Sequence, residues 1–212
     1  MYDRDYYLRH HSYAGSPTEV ALNKFRAGLL DLAMMRSPTF GKLAGGWNVV
    51  DYGCSHGAFL KEIQADEAFN AYGVEINPYC VGHCTKAGYM VFTPEMFEYF
   101  CENLKVGCMT FWDVFEHIPH PASILDRFKP QTICLSLPCL DGWLESHPGK
   151  DIQLWKHFRP TEHIWCFKHD DFVEYLEQAG YYVAYSTFDE SKIRVDKSIG
   201  EKNIMSFVAV RK

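Results

Sequence analysis

Two short segments of the sequence carry residues that could hold a nucleotide-type cofactor. In the first, an apolar run ends at Asp51, and a turn bracketed by Gly53 and Gly57 follows it. In the second, about 20 residues further on, another short apolar run ends at Glu75. Glycines let the backbone of such a turn approach a ligand closely, and a carboxylate can accept hydrogen bonds from both hydroxyls of a ribose. Together the two segments predict a cofactor site and favour an enzyme. The alternative is that the glycines only form a tight turn and that Glu75 is the solvated end of a strand.

The spacing of the glycines separates two classes of cofactor. A dinucleotide site typically has the pattern G-x-G-x-x-G, whereas the turn here reads Gly53-Cys54-Ser55-His56-Gly57-Ala58 and lacks the middle and last glycines. A nicotinamide-dependent oxidoreductase is therefore the less favoured interpretation.

Alternating helix and strand signals surround these segments. Ser16-Pro17-Thr18-Glu19 is a capping box that predicts a helix from about residue 16 to residue 35. The predicted strands are apolar runs of the kind that a parallel sheet buries on both faces. They cover residues 47–51, 71–75, 89–92, 106–112, 132–137, 181–188 and 204–210. Helices are predicted between them, at 56–64, 78–87, 94–101, 122–128 and 170–179, and a polar hairpin joins the final strand pair.

This alternation predicts an α/β fold with a doubly wound, mostly parallel, seven-stranded Rossmann-like sheet and an antiparallel C-terminal strand. We expect a single domain over residues 1–212. Residues 1–37 would form an N-terminal arm and helix over the site. Residues 139–168, rich in Gly, Pro, His and Trp, would form a lid-like insertion, because they are long for a mere connection.

Composition narrows the class of protein. A hydrophobic content of 47% is enough for a substantial core. The formal charge is −6, and the sequence has no concentration of basic residues of the kind that binds nucleic acid. The first residues carry acids and no apolar segment follows, so we expect a soluble, cytoplasmic protein without membrane contact. The eight cysteines form no C-x-x-C pair and are interpreted as reduced thiols. The spacings His117-x-x-His120 and Cys80-x-x-His83-Cys84 are weak metal signals, and we predict no metal site.

Five ordered motifs resemble those of class I S-adenosylmethionine-dependent methyltransferases, in particular small-molecule enzymes such as quinone and sugar O-methyltransferases. The resemblance covers roughly residues 48 to 183. Its motifs are the segment around Asp51 to Gly57, Tyr72 to Pro78 with Glu75, the D-V-x-E-H-x-x-x-P-like stretch from Asp113 to Pro121, the strand region from Leu125 to Pro138, and the tail from Glu162 to Gly180.

The resemblance implies S-adenosylmethionine as cofactor, with S-adenosylhomocysteine as product. Asp51, Gly53, Cys54 and Gly57 would surround the methionine portion, Glu75 the ribose, Ile76 the adenine face, and Pro94 to Met96 its edge. The family often has glycine where Ser55 stands, and a serine fits there if its φ is negative. The residues so expected to contact the cofactor are Asp51, Gly53, Cys54, Ser55, Gly57, Glu75, Ile76, Asn77, Pro94, Glu95, Met96, Trp112 and Asp113.

Methyl transfer is an in-line displacement from a cationic sulfonium, and much of its catalysis can come from positioning. A base is useful only when the acceptor arrives protonated. His117 is the first candidate, because an imidazole titrates near neutral pH, and the alternative is a histidine that caps the loop. His157 and His163 are second candidates, for orienting the acceptor or completing a lid.

The expected reaction is methylation of a small-molecule acceptor, with O-methylation of a sugar or a phenol-like ring favoured. The cluster Tyr6, Tyr7, Arg9, His10, His11 and Tyr13 would form one wall of the acceptor pocket, and Trp143, Trp155 and Trp165 the other. Two alternatives remain: a non-catalytic partner subunit that keeps the fold, and the nicotinamide-dependent oxidoreductase. The acceptor itself and the oligomeric state do not follow from the sequence.

Overall fold

A computed structural model describes residues 4–11, 14–38, 46–194 and 202–212 of the chain. In these ranges seven strands form one sheet in the order β3-β2-β1-β4-β5-β7-β6. The pairs among β1 to β5 are parallel, and β7 runs antiparallel to both of its neighbours. The predicted fold class is confirmed. The strands are β1 Trp47–Tyr52, β2 Phe69–Val74, β3 Met90–Phe92, β4 Cys108–Trp112, β5 Thr132–Pro138, β6 Tyr181–Thr187 and β7 Ile204–Arg211.

Helices cover both faces of the sheet. Val49 packs into a core that includes Leu30 and Phe59, whereas its neighbour Val50 packs on the opposite face with Phe97 and other residues. Because successive side chains of a strand point to opposite faces, both faces of β1 are buried, which explains its continuous apolar run. The helices are α1 Arg4–His11, α2 Pro17–Arg36, α3 Ala58–Ile63, α4 Pro78–Lys86, α5 Pro94–Phe100, α6 Pro121–Phe128, α7 Leu140–Ser146, α8 His169–Gln178 and α9 Asp189–Ile193.

The start of α2 is tied to the glycine turn. Ser16 Oγ accepts a hydrogen bond from the Glu19 backbone N–H at 3.2 Å, as the capping box predicts. The Glu19 carboxylate accepts from the Gly15 N–H at 2.6 Å and pairs with His56 Nε2 at 2.9 Å. The same glutamate therefore caps the helix and anchors the turn that follows β1.

Some boundaries differ from the prediction for identifiable reasons. The helix after the glycine turn begins at Ala58 rather than at residue 56, because Gly57 stands before it with φ +81° and belongs to the turn. The segment 139–168 contains α7 and a 3₁₀ turn at Ile152–Leu154, so it is partly regular structure. β6 and β7 form the predicted antiparallel pair, and the described part of their connection contains α9.

Among the described residues, no helix has the length and apolar character needed to cross a membrane. All eight cysteines are unpaired, and seven of them are buried, Cys166 being the exposed one.

Candidate functional site

A cavity of about 750 Å³ opens at the carboxyl ends of β1, β4 and β5. The α2 helix forms one side, and residues 156–163 form another. Ligands of open α/β sheets bind at this edge, outside the carboxyl ends of the strands. The residues that line the cavity are Ser16, Thr18, Glu19, Leu22, Asn23, Arg26, Asp51, Gly53, Cys54, Ser55, His56, Ala58, Phe59, Trp112, Asp113, Glu116, His117, Pro138, Lys156, His157, Arg159, His163 and Arg194.

The glycine turn passes close to the loop after β4. The Gly53 N–H donates to the Val74 carbonyl at 2.7 Å, and Gly53 has φ +85°. A Cβ at this position would lie 2.4 Å from Cγ2 of Val114. Only glycine fits here without displacing Val114. The close neighbour is thus a side chain of the protein itself, and the approach to a ligand stays a prediction.

Ser55 adopts a left-handed backbone, with φ +49°. The condition given above for a serine at this position, a negative φ, is therefore not met. The conformation directs the Ser55 N–H to Glu75 Oε2, which accepts it at 2.8 Å. For a non-glycine residue such a backbone costs about 1–3 kcal/mol. The hydrogen bond to a carboxylate offsets part of that cost, so serine is accommodated where the resembling family often has glycine.

Glu75 joins the turn to the end of β2. Its Oε1 accepts from the Asn77 N–H at 2.8 Å while Oε2 binds the Ser55 N–H. Burial raises the pKa of Glu75, and the hydrogen bonds from Asn77 and Ser55 oppose that rise. Glu75 is buried and not a solvated strand end. An ionised carboxylate has about four acceptor positions, so two stay available to a ligand.

The residues predicted to contact adenine lie outside the cavity, near the ends of β2 and β3. Ile76 and Met96 are exposed, and Pro94 and Glu95 belong to the first turn of α5. Asn77 is fully buried, and its Oδ1 caps α4 by accepting from the Tyr79 N–H at 3.0 Å. The Asn77 side chain therefore has a structural role at the start of α4.

Asp51 lies at the cavity and accepts a hydrogen bond from Thr110 Oγ1 at 2.7 Å. Burial raises the pKa of Asp51 to about 7, although Thr110 and Arg26 act in the opposite direction. The folded protein therefore binds a proton on Asp51 that the unfolded chain releases near pH 4. The contribution of Asp51 to the free energy of unfolding therefore falls as the pH rises from about 4 to about 7. Above pH 7, where Asp51 is ionised in both states, the cost of burying its charge stays constant.

Substituting Asp51 by asparagine is expected to stabilise the protein at pH 8 relative to the unsubstituted chain. The neutral amide removes a buried charge whose cost is about 4 kcal/mol for a shift of this size, and it can still accept from Thr110. At pH 4, where Asp51 is protonated, the gain should vanish. Thermal unfolding of both proteins at the two pH values measures this. A difference in Tm that does not change with pH would contradict the expected pKa.

Two arginines and two carboxylates form a network beside Asp51. Arg26 of α2 donates to Asp113 Oδ2 at 3.0 Å and to Glu190 Oε1 at 2.6 Å. Arg194 binds the same carboxylates, with Asp113 Oδ2 at 2.5 Å. Glu190 is fully buried and also accepts from Ser206 Oγ at 3.2 Å. The network connects α2, the loop after β4 and α9.

The charges of this network balance. Burial alone would raise the pKa values of both acids, but Arg194 and Arg26 hold that of Glu190 below its usual range and lower that of Asp113 to about 2. Arg26 also lies over the ring of Trp112, 5.0 Å from its centroid. Asp113 lines the cavity, and its carboxylate is engaged by the two arginines. Sequence reasoning missed Arg26, Arg194 and Glu190, because they are single charges in separate helices or loops.

The three histidines proposed from the sequence meet at the other side of the cavity. The rings of His117 and His163 pack edge to face with centroids 4.7 Å apart, and the His157 and His163 rings are 6.0 Å apart. Burial lowers the pKa of His157 to about 3, and burial with the neighbouring His117 lowers that of His163. His157 and His163 are therefore neutral near pH 7, and His157 is too weak a base to take a proton there.

Hydrogen bonds to backbone carbonyls hold two loops together around these rings. His117 Nδ1 donates to the Glu162 carbonyl at 2.8 Å, and the Ile164 N–H donates to the Glu116 carbonyl at 2.9 Å. Trp165 Nε1 donates to the Ile118 carbonyl at 2.9 Å. Because a carbonyl can only accept, Nδ1 of His117 carries the proton, and Nε2 of the neutral ring keeps its lone pair.

Glu116 was not among the predicted site residues, although it stands in the predicted D-V-x-E-H stretch. It is 2% exposed, and its Oε2 is buried without a hydrogen-bond partner in the described part of the chain. Burial, with the charge of Asp113, raises its pKa well above the usual range. One ligand atom each from Glu116, His117 and His163 lie within 4.8 Å of one another.

Of the two aromatic walls predicted for the acceptor pocket, the tryptophan wall is wrong, whereas the N-terminal wall stays a prediction, because most of its side chains lie outside the described part of the chain. Within residues 4–11 the N-terminal cluster forms α1, which packs on α4, where Tyr7 Oη lies 3.1 Å from His83 Nδ1. Tyr13 lies outside the described residues. Trp143 and Trp155 are buried, and Trp165 binds Ile118, so none of the three lines the cavity. The rings of Trp143 and Trp155 pack into the fold, Trp165 is exposed, and polar residues of the same segment line the cavity.

Comparisons with known proteins bear on the family and the fold of the chain. A family model described as a methyltransferase domain matches residues 21–186. No curated protein sequence matches the chain significantly.

Solved structures resemble the fold at low sequence identity. One is the magnesium protoporphyrin IX methyltransferase ChlM from Synechocystis PCC 6803 with bound SAH. It is 16% identical, with 92% of this chain and 83% of that chain covered and a TM-score of 0.55. Another is an S-adenosylmethionine-dependent methyltransferase from Clostridium acetobutylicum ATCC 824, 10% identical over 98% of each chain, with a TM-score of 0.61. The plantazolicin methyltransferase BpumL is 8% identical over 98% of this chain and 90% of that chain, with a TM-score of 0.62.

Proposed function

Because the chain belongs to the methyltransferase-domain family and its cofactor is S-adenosylmethionine, we propose that it methylates an oxygen of a small molecule, either a sugar or a phenol-like ring. One observation carries this proposal. A single cavity is lined both by the glycine turn from Gly53 to Ser55 and by the histidines 117, 157 and 163. A cofactor held at the turn and an acceptor held at the histidines would meet within that cavity.

The residues present fit the cofactor. Gly53 leaves room for close approach of the backbone, Asp51 offers a carboxylate in the cavity, and Glu75 has acceptor positions beyond those that bind Ser55 and Asn77. When bound, S-adenosylmethionine supplies a methyl group on a cationic sulfonium. Asp51 and Asp113 would face that positive charge, and Glu75 would hold the ribose.

The acceptor would lie between α2 and the segment 156–163. The side chains there are polar and charged, including Lys156, His157 and Arg159, and the predicted tryptophans are turned away. Such a lining can donate hydrogen bonds to several oxygens, which favours a hydroxyl-rich acceptor such as a sugar over an extended apolar ring.

An acceptor hydroxyl must lose its proton during the transfer. The S–C bond breaks with its electron pair left on sulfur, the C–O bond forms, and the proton leaves the acceptor oxygen. Nε2 of His117 has the free lone pair to accept it when no ion occupies the cluster. His163, in edge-to-face contact, would hold the His117 ring in place.

Thermal unfolding with and without S-adenosylhomocysteine tests the cofactor half of the proposal. A ligand at about 100 times its Kd adds roughly 2.7 kcal/mol to the stability of the folded state. For a chain of this length we expect Tm to rise by about 5–11 °C. NADH at the same concentration is the control and should leave Tm unchanged.

The alternatives predict other outcomes. A rise with NADH alone would favour the nicotinamide-dependent oxidoreductase. No rise with either compound would favour a non-catalytic partner subunit that keeps the fold. A rise with S-adenosylhomocysteine directs the next step to transfer of a labelled methyl group to hydroxylated acceptors, sugars first.

A further inference from the structure

We propose that Glu116, His117 and His163 bind one divalent transition-metal cation at the side of the cavity. One ligand atom from each residue lies within 4.8 Å of the other two. Cations of this class bind nitrogen and oxygen at about 2.0–2.2 Å, so the ligands of one tetrahedral ion lie about 3.3–3.6 Å apart. The three ligand atoms therefore need to approach one another by up to about 1.5 Å.

A second observation points independently to a ligand. Oε2 of Glu116 is buried and has no hydrogen-bond partner among the described residues. An unpartnered buried carboxylate oxygen is costly, because it has lost water without gaining a replacement. A cation would supply the missing partner and neutralise the charge.

The histidines are already oriented for coordination. Nδ1 of His117 donates to the Glu162 carbonyl, which leaves Nε2 as the atom able to bind a metal. The His163 ring packs edge to face against the His117 ring, with the ring centroids 4.7 Å apart. Metal-binding histidines commonly donate their other ring N–H to a carbonyl or carboxylate, which fixes the tautomer and the ring orientation. The Ile164 and Trp165 hydrogen bonds fix the two loops around the cluster before any ion arrives.

The donor set selects the type of cation. Magnesium and calcium prefer oxygen ligands, whereas two imidazoles and one carboxylate suit manganese, iron(II), cobalt or zinc. Three protein ligands leave coordination positions open, as in catalytic rather than structural sites. The open positions face the cavity, which all three residues line.

The cation would also define the acceptor, a point that rests on the function proposed above. An acceptor hydroxyl that occupies an open position would have its pKa lowered, as metal-bound water does. The O–H bond then breaks with its proton released to solvent, and the oxygen takes the methyl group. His117 would be a ligand in this case rather than the proton acceptor.

Titration of the chelator-treated protein with cobalt(II) tests the inference without cofactor or acceptor. We expect one cobalt ion per chain, with visible absorption bands that indicate nitrogen and oxygen ligands. His163→Ala and Glu116→Gln should weaken binding by about 100-fold or more, since loss of outer partners alone costs 10- to 100-fold. His120→Ala is the matched control: His120 is an exposed histidine of the same loop and should leave binding unchanged.

Absence of cobalt, zinc and manganese binding would overturn the inference, and so would binding that His163→Ala leaves intact. Circular dichroism of each variant shows whether it folds, and His163→Ala serves if Glu116→Gln does not. The two proposals fail separately. S-adenosylhomocysteine binding without metal binding leaves the methyltransferase proposal standing and overturns the metal site. Metal binding without S-adenosylhomocysteine binding leaves the metal site standing and overturns the methyltransferase proposal.

Discussion

Replacing Glu75 by alanine is expected to weaken S-adenosylhomocysteine binding by about 100-fold. Each hydrogen bond to a charged group contributes roughly 1.5–3 kcal/mol, and the carboxylate would hold two hydroxyls of the ribose. The substitution also removes the acceptor to which the N–H groups of Ser55 and Asn77 now donate. Without that partner the left-handed backbone of Ser55 loses its compensation, and the glycine turn should become less ordered. Isothermal titration calorimetry with S-adenosylhomocysteine measures the loss.

Glu67→Ala is the control for Glu75→Ala, because Glu67 is an exposed acid in the turn before β2. It should leave the affinity unchanged. The Tm of each variant without ligand separates loss of binding from loss of folding. If Glu75→Ala is folded and binds S-adenosylhomocysteine as tightly as the unsubstituted protein, the ribose role of Glu75 is wrong.

Substituting Arg26 by methionine is expected to lower the free energy of unfolding by about 3 kcal/mol. Removing one partner of a buried ion pair typically costs 3–5 kcal/mol, because the other charge stays buried and uncompensated. Glu190 is fully buried, and Arg194 would still neutralise part of its charge, which places the effect at the lower end. Methionine keeps most of the apolar contact with Trp112. For a chain of this length the Tm should fall by about 6–12 °C.

Lys24→Met is the matched control, since Lys24 is an exposed cation on the same helix. Its effect should stay within about 0.5 kcal/mol. Urea unfolding of both variants gives the comparison. Equal stability of Arg26→Met and Lys24→Met would show that the network contributes nothing to folding. Loss of S-adenosylhomocysteine binding is not expected from the charge removed, since Asp51 and Glu75 remain.

The order of elements follows from the sequence because it depends on local pattern. Continuous apolar runs predict strands buried on both faces, and Ser16 with Pro17 predicts the start of α2. The glycines after β1 predict a tight turn, which agrees with the left-handed φ of Gly53 and with its closeness to Val114. These features need only neighbours in the chain, so one sequence is enough to find them.

The parts that were missed depend on long-range contacts. Arg26 meets Asp113 and Glu190, which are far away in sequence, and no spacing rule connects them. The histidines of the cluster were proposed singly, and only folding brings His163 against His117. Glu116 stands beside His117 in the D-V-x-E-H stretch, but nothing in the sequence around it indicates that its side chain is buried.

The tryptophans show why an aromatic pattern alone does not identify a pocket wall. Trp143 and Trp155 occur in a segment with few other apolar anchors, so burying them stabilises the segment against the sheet. The polar residues between them are then left to face the cavity. A large apolar ring in a long loop is therefore as consistent with an anchor as with a ligand contact.

The position of β7 has a consequence for the order in which the molecule can assemble. β7 follows β6 in the chain, yet it lies between β5 and β6 in the sheet. β6 therefore has no strand to pair with until β7 has been synthesised. Glu190 and Arg194 precede β7, and Glu190 also binds Ser206 of that strand. On the ribosome, the glycine turn and Glu75 emerge more than a hundred residues before Glu190 and Ser206, so the network beside Asp51 would be completed long after the turn has formed.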